Sequence, residues 1–153
     1  MLERTQEEID ELFMLKAMDE AAEAFEEDEV PIGAIVVVNG KIIARAHNLT
    51  ERLCDVTAHA EMQAITAAAN YLGGKYLTDC TIYVTVEPCA MCAAALGWAQ
   101  IGRVVYGAAD EKRGYRKLYG NDRGPFHPKT KITPGLLADE SSQLMKSFFR
   151  SKR

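Results

Sequence analysis

The chain lacks any uninterrupted apolar run that approaches the about 20 residues of a membrane-spanning helix, which argues against a helical membrane protein. Its start, Met1-Leu2-Glu3-Arg4, turns acidic and carries no apolar signal-peptide stretch. The expectation is a soluble, cytoplasmic protein without membrane partners. Linkers, low-complexity stretches and internal repeats are also missing, so residues 1–153 are expected to form a single domain with a sizeable core. Hydrophobic residues make up 48% of the chain, a globular composition rather than a disordered one. Cysteine is sparse: Cys54, Cys80, Cys89 and Cys92. In a cytosolic chain of this size, thiols or metal ligands are expected before a disulfide framework. Cys54 and Cys80 are read most simply as buried small hydrophobes.

Positive charge is scarce in the first two thirds. Residues 1–102 carry 6 Lys/Arg against 17 Asp/Glu, and residues 103–153 carry 12 against 5. The balances are -11 and +7, which together give the net charge of -4. Clustered Lys/Arg is the electrostatic footprint of nucleic-acid binding, so the last third is a candidate phosphate surface. The alternative is a solvated basic face with no partner.

Local patterning outlines the elements. Thr5-Gln6-Glu7-Glu8 has the form of a capping box. Ile9, Phe13, Ala17, Ala21, Ala24 and Phe25 recur at helical spacing behind it, predicting an amphipathic helix over 6–27. Two β-branched runs, 33–38 and 41–47, flank Asn39-Gly40, a strong hairpin signal. Thr57 is a candidate cap for a helix over about 58–71, ended by Gly73-Gly74. Thr81 to Val86 reads as a strand, and Pro88 suits the first turn of a short helix reaching about Gln100. Residues 103–106 form the next strand, and 112–131 read mostly as loop. Thr133-Pro134-Gly135 opens a last helix whose apolar side carries Leu136, Leu137, Leu144, Met145, Phe148 and Phe149. A hairpin followed by alternating helices and strands predicts an α/β fold, three-layer α/β/α, around a mixed and roughly five-stranded central sheet. The strands at 81–86 and 103–106 should be parallel.

Two short motifs carry the chemistry. His59-Ala60-Glu61 is followed, 27 residues after the glutamate, by Pro88-Cys89-Ala90-Met91-Cys92. Together they supply three soft or borderline ligands, His59, Cys89 and Cys92, and one carboxylate that need not be a ligand. Three protein ligands leave the fourth tetrahedral position of Zn2+ open, which marks a catalytic metal rather than a structural one. Both ligand segments are expected in first turns of helices, where free N–H groups and the helix dipole favour thiolate. Zinc lowers the pKa of water from about 15.7 toward about 7, and Glu61 is placed to move the protons as general acid and base. Each half alone is weak. His-x-Glu is common, and Cys-x-x-Cys also serves redox chemistry. A closed structural site would need a fourth ligand from Cys54, Cys80, His47 or His127, none of which has paired spacing with another. The joint pattern resembles the signature of zinc-dependent nucleobase deaminases.

Beyond that signature, the chain resembles the bacterial tRNA-specific adenosine deaminases, within the cytidine-deaminase-like zinc enzymes. The matching segments are Val30–Ala34, Ala46–Asn48, Thr57–Glu61, Tyr83–Cys92 and Ile101–Ala108, together with Asp110, Lys112, Gly114 and the Phe148-Phe149-Arg150 ending. The resemblance runs from about residue 10 to the end. It implies a homodimer with one Zn2+ per subunit that converts the wobble adenosine of a tRNA anticodon stem-loop to inosine. It further implies His59, Cys89 and Cys92 as zinc ligands and Glu61 as proton shuttle. Asn48 would hydrogen-bond the flipped nucleotide, and Val30 would line the base pocket. Asp110 either borders the RNA groove or caps its own loop. Residues 115–133 depart from the family pattern: Phe126-His127-Pro128 stands where an Asn-His pair precedes the last strand. Mixed roles, in stacking and in the core, are expected for Tyr115, Tyr119 and Phe126. The basic residues Lys146, Arg150, Lys152 and Arg153 beside Phe148 and Phe149 suit RNA stacking, with at least one phenylalanine docking the helix. Two other functions compete. One is a deaminase of free guanine or cytosine-type bases with the same zinc site, and the other is a non-enzymatic zinc module, against which Glu61 argues.

Overall fold

A computed structural model describes residues 3–152. The chain ends, Met1-Leu2 and Arg153, lie outside the described residues, and so do the readings that touch them.

Helix α1 spans Gln6–Glu26 and opens with the capping box. Thr5 Oγ1 accepts from Glu8 N at 3.1 Å. Its fully buried stripe is Asp10, Met14, Ala17, Ala21 and Ala24, so Ile9 and Phe13 sit at the margin. Strands β1 (Gly33–Val38) and β2 (Lys41–His47) form the hairpin, with Asn39 and Gly40 both at positive φ (50° and 73°) as a type I′ turn requires. Helix α2 is Ala60–Leu72, stopped by Gly73 in the left-handed conformation. Strand β3 is Thr81–Val86, helix α3 Ala90–Trp98 and strand β4 Arg103–Ala108. Two short elements fill the stretch read as loop, helix α4 (Tyr115–Tyr119) and strand β5 (Lys131–Thr133). Helix α5 is Ala138–Ser151. It starts five residues later than Thr133, because Thr133 belongs to β5 and Leu137 turns left-handed (φ 54°) just before the helix.

The sheet order is β2-β1-β3-β4-β5. β1 is antiparallel to β2 and β3, while β3, β4 and β5 run parallel. The sheet is therefore mixed and five-stranded, as expected. Successive strand residues point to opposite faces, and the two cores follow that alternation. Ala34, Val36, Ile82, Val84 and Val104 pack with Ala60, Ala64 and Ala68 of α2 and with Ala93 and Leu96 of α3. Ile35, Val37, Tyr83 and Val105 pack on Met14 and Ala17 of α1, with Leu136 and Leu137 ahead of α5. Tyr115 and Phe126 are buried against each other, ring centroids 5.0 Å apart, so both are core residues and only Tyr119 of that trio is exposed. Cys80 is buried as expected. Cys54 is exposed, because its turn (φ 50°) lies on the surface.

Candidate active site

The N-termini of α2 and α3 meet at one end of the sheet. His59 and Cys89 are the N-cap residues of the two helices rather than members of their first turns. Their extended backbones (ψ 155° and 172°) carry the side chains ahead of the helix while their carbonyls already accept, from Gln63 N at 3.2 Å and Ala93 N at 2.9 Å. Thr57 is not the cap. Asp55 Oδ1 holds it, accepting from its N at 2.8 Å and its Oγ1 at 2.7 Å. Cys92 lies three residues into α3 from Cys89, on the same helix face, and is fully buried.

His59 Nδ1 is 3.6 Å from Cys89 Sγ and 3.4 Å from Cys92 Sγ. A tetrahedral zinc, about 2.3 Å from sulfur and about 2.0 Å from nitrogen, sets such S and N atoms about 3.5 Å apart. The donor set and its spacing therefore fit zinc. The three ligand atoms lie within 4.8 Å of one another, and among the described residues no fourth His, Cys, Asp or Glu joins them. Hydrogen bonds from Cys92 and from His59 draw the Cys89 thiol down to about 4. Its bond to Cys89, burial and the nearby Glu61 push Cys92 upward. The Cys89 sulfur raises His59, against burial.

Glu61 is buried at the second position of α2. Burial raises its carboxyl to about 7, although its own backbone N–H favours the charged form. It stands beside the two cysteines and His59 without being one of the three converging donors.

Asn48 ends the hairpin, its N bonded to Ile32 O at 3.1 Å. Its side chain is buried and makes one long bond, Nδ2 to Thr50 Oγ1 at 3.4 Å. Val30 is half-buried and lines a separate surface cavity of ≈660 Å³ with Glu27, Glu51, Arg52, Phe149 and Lys152. No metal-site residue lines that cavity. Asp110 caps its own loop, Oδ1 accepting from Lys112 N at 3.1 Å and Arg113 N at 3.0 Å. Phe148 docks α5 onto Phe25 and is buried, while Phe149 is exposed.

Two buried glutamates escaped the sequence reading. Glu29 accepts from Glu51 N at 3.0 Å and Arg52 N at 2.7 Å, holding the loop after Asn48. Glu87 stands between Val86 and Pro88 and is also buried. The available signal was the same for both: an acid immediately beside an apolar segment, where burial is expected and a charge is not.

The MafB19-like deaminase family model matches residues 8–153. A tRNA-specific adenosine deaminase of Agrobacterium fabrum is 45% identical over 143 residues, covering 92% of this chain and 94% of that one. This chain belongs to the tRNA-specific adenosine deaminase family. Among solved structures, a chain from a study of A-to-I editing by tRNA:A34 deaminases superimposes on it with a TM-score of 0.79 at 43% identity, covering 87% of this chain and 98% of that chain. A guanine deaminase of Bacillus subtilis is less similar, with a TM-score of 0.65 at 35% identity over 72% of this chain and 74% of that chain. Family membership makes this protein a hydrolytic deaminase.

Proposed function

We propose that this protein hydrolyses the wobble adenosine of a tRNA anticodon to inosine and ammonia, with one Zn2+ per subunit held by His59, Cys89 and Cys92. The observation that carries the reading is the convergence of three donors at zinc spacing, with no fourth among the described residues, beside a buried carboxylate. Zinc, when bound there, supplies the Lewis acid that makes water a nucleophile near neutral pH. Glu61 takes the proton of the attacking water and passes it to the ring nitrogen beside the reacting carbon, then takes the proton left on the added hydroxyl and delivers it to the departing amine, which leaves as ammonia. One buried carboxylate beside the three ligands can serve both halves of that task, as base and then as acid.

A base inside a folded RNA reaches such a site only when it leaves its stack. Asn48, buried and lightly bonded, is the proposed hydrogen-bond partner of the extruded nucleotide. Val30 is the proposed wall of the base pocket. The proposed homodimer follows from the family resemblance, and exposed Trp98 (85%) and Leu118 (72%), on the neighbouring helices α3 and α4, are its candidate contacts. The cytoplasm is the expected compartment, since tRNA is the substrate and no helix among the described residues is long and apolar enough to cross a membrane. The guanine-type alternative shares the zinc chemistry, but a free base has no use for the basic last third.

Glu61→Gln tests the proton role. It keeps the shape and removes the base, so kcat should fall by about 10²–10⁴-fold while zinc per subunit, measured by metal analysis, stays the same. Full activity in the variant, or loss of zinc along with activity, would contradict the assignment.

A further inference from the structure

Glu87 directly follows β3, immediately before the Pro88-Cys89 ligand segment, and is only 4% exposed. A buried carboxylate needs partners, and every partner of this one comes from a single segment. Its Oε1 accepts from Asp110 N at 3.1 Å and Arg116 Nη2 at 3.0 Å, and its Oε2 from Arg116 N at 3.1 Å. The same segment is tied to the ligand loop at two more points. Tyr115 N donates to Pro88 O at 2.9 Å, and Gly114 pairs with Cys89 in an isolated bridge. Gly114 N donates to Asp110 O at 2.8 Å, closing the turn that Asp110 Oδ1 caps from within. The turn presses directly on the carboxylate, since a Cβ at Gly114 would come 2.1 Å from Glu87 Oε2.

Between these fixed ends lie Lys112 and Arg113, both exposed. From Asp110 to Arg113 the segment buries no apolar side chain, so packing does not place these two cations. Arg113 directly precedes Gly114, whose backbone pairs with Cys89, so the two cations stand beside the ligand loop. Phosphate contacts set register and orientation on a nucleic acid, and they do so only when the cations themselves are held in place.

We infer that Glu87 is a positioning residue: its carboxylate braces the 110–116 segment against the Cys89 loop and so places Lys112 and Arg113 to grip substrate phosphates at the mouth of the site. This rests on the tRNA reading above.

Glu87→Gln keeps the volume and removes the charge and one acceptor. KM for an anticodon stem-loop should rise about tenfold, the worth of one charge-assisted hydrogen bond. The value of kcat and the zinc per subunit should hold. In a Lys112→Ala/Arg113→Ala background, Glu87→Gln should raise KM no further, because the groups it places are gone. Hydrogen exchange should quicken at the Asp110 and Arg116 amides, with β3 amides unchanged. Arg116→Gln, which cuts only the side-chain arm, should raise KM less and serves if Glu87→Gln does not fold. Unchanged exchange at those two amides would overturn the proposal. The same KM factor in the background lacking both cations, or an effect on kcat or zinc instead of KM, would also overturn it. Wild-type protein that leaves the stem-loop unedited would sink the tRNA reading, and the exchange result would still judge the brace.

Discussion

At the scale of single residues, His47 shows how this fold uses charge away from the metal site. Its Nδ1 lies 3.0 Å from Glu20 Oε1 and its Nε2 2.8 Å from Glu27 Oε2. A neutral imidazole donates from one nitrogen only, so two carboxylates are satisfied together by the imidazolium. Burial works against that charge, but the bonds to Glu20 and Glu27 outweigh it and raise the pKa. The sign follows. Stabilisation from this clamp is fully present below the unfolded value of about 6.5 and is lost as pH rises through the higher folded value. Urea unfolding at about pH 6 and about pH 8.5 should show the wild type losing stability over that interval, and His47→Gln should lose less. Equal losses in both proteins would contradict the clamp. The residues of the candidate site were legible because their information is local: a histidine, a glutamate and two cysteines at fixed offsets. Glu87 was not, because its role depends on Asp110 and Arg116, which only the fold brings to it.

At the scale of elements, the docking of α1 turns on Asp10. This buried aspartate takes both Arg103 nitrogens, Nη1 and Nη2, at 2.7 Å each, the Tyr83 hydroxyl at 2.7 Å and Gln6 Nε2 at 2.9 Å. One side chain thus joins α1 to β3 and β4, and Arg103 goes on to Thr133 of β5 at 3.0 Å. Removing one partner of such a buried pair leaves the other charge uncompensated, so Asp10→Ala should cost about 3–5 kcal/mol, read by urea unfolding. A loss below about 1 kcal/mol would place the pair with exposed ion pairs of little worth. Burial raises the Asp10 pKa, but the bonds from Arg103, Tyr83 and Gln6 outweigh it and hold the pKa low. Its contribution is therefore present above the unfolded value of about 3.9 and fades as pH falls through the folded one. The hairpin, the long helices and the two strands β3 and β4 were legible from Asn39-Gly40, capping and periodicity. β5 and α4 were not. β5 is three residues long and exists because Lys131, Ile132 and Thr133 add to the edge of β4. α4 is five residues held by Tyr115 and Glu87, with no pattern of its own.

At the scale of the whole molecule, the charge split is the feature that a small-molecule enzyme would not need. If the basic last third binds RNA, log KM for a stem-loop should climb with log salt as counterions are released. A salt-independent KM would leave the asymmetry without a role. The proposed homodimer adds a sharper test. If a groove is shared, a Glu61→Ala subunit mixed with one stripped of its C-terminal basic residues should regain activity, because each supplies what the other lacks. Mixed dimers without rescue would leave each subunit serving only its own site. The central claim, a zinc deaminase that edits RNA, is tested most directly by one assay. Purified, zinc-loaded protein is given an anticodon stem-loop with a wobble adenosine and, in parallel, free guanine, and both products are read by mass spectrometry. The account predicts inosine in the RNA and unchanged guanine. Xanthine from guanine with the RNA intact would preserve the metal chemistry and contradict the substrate.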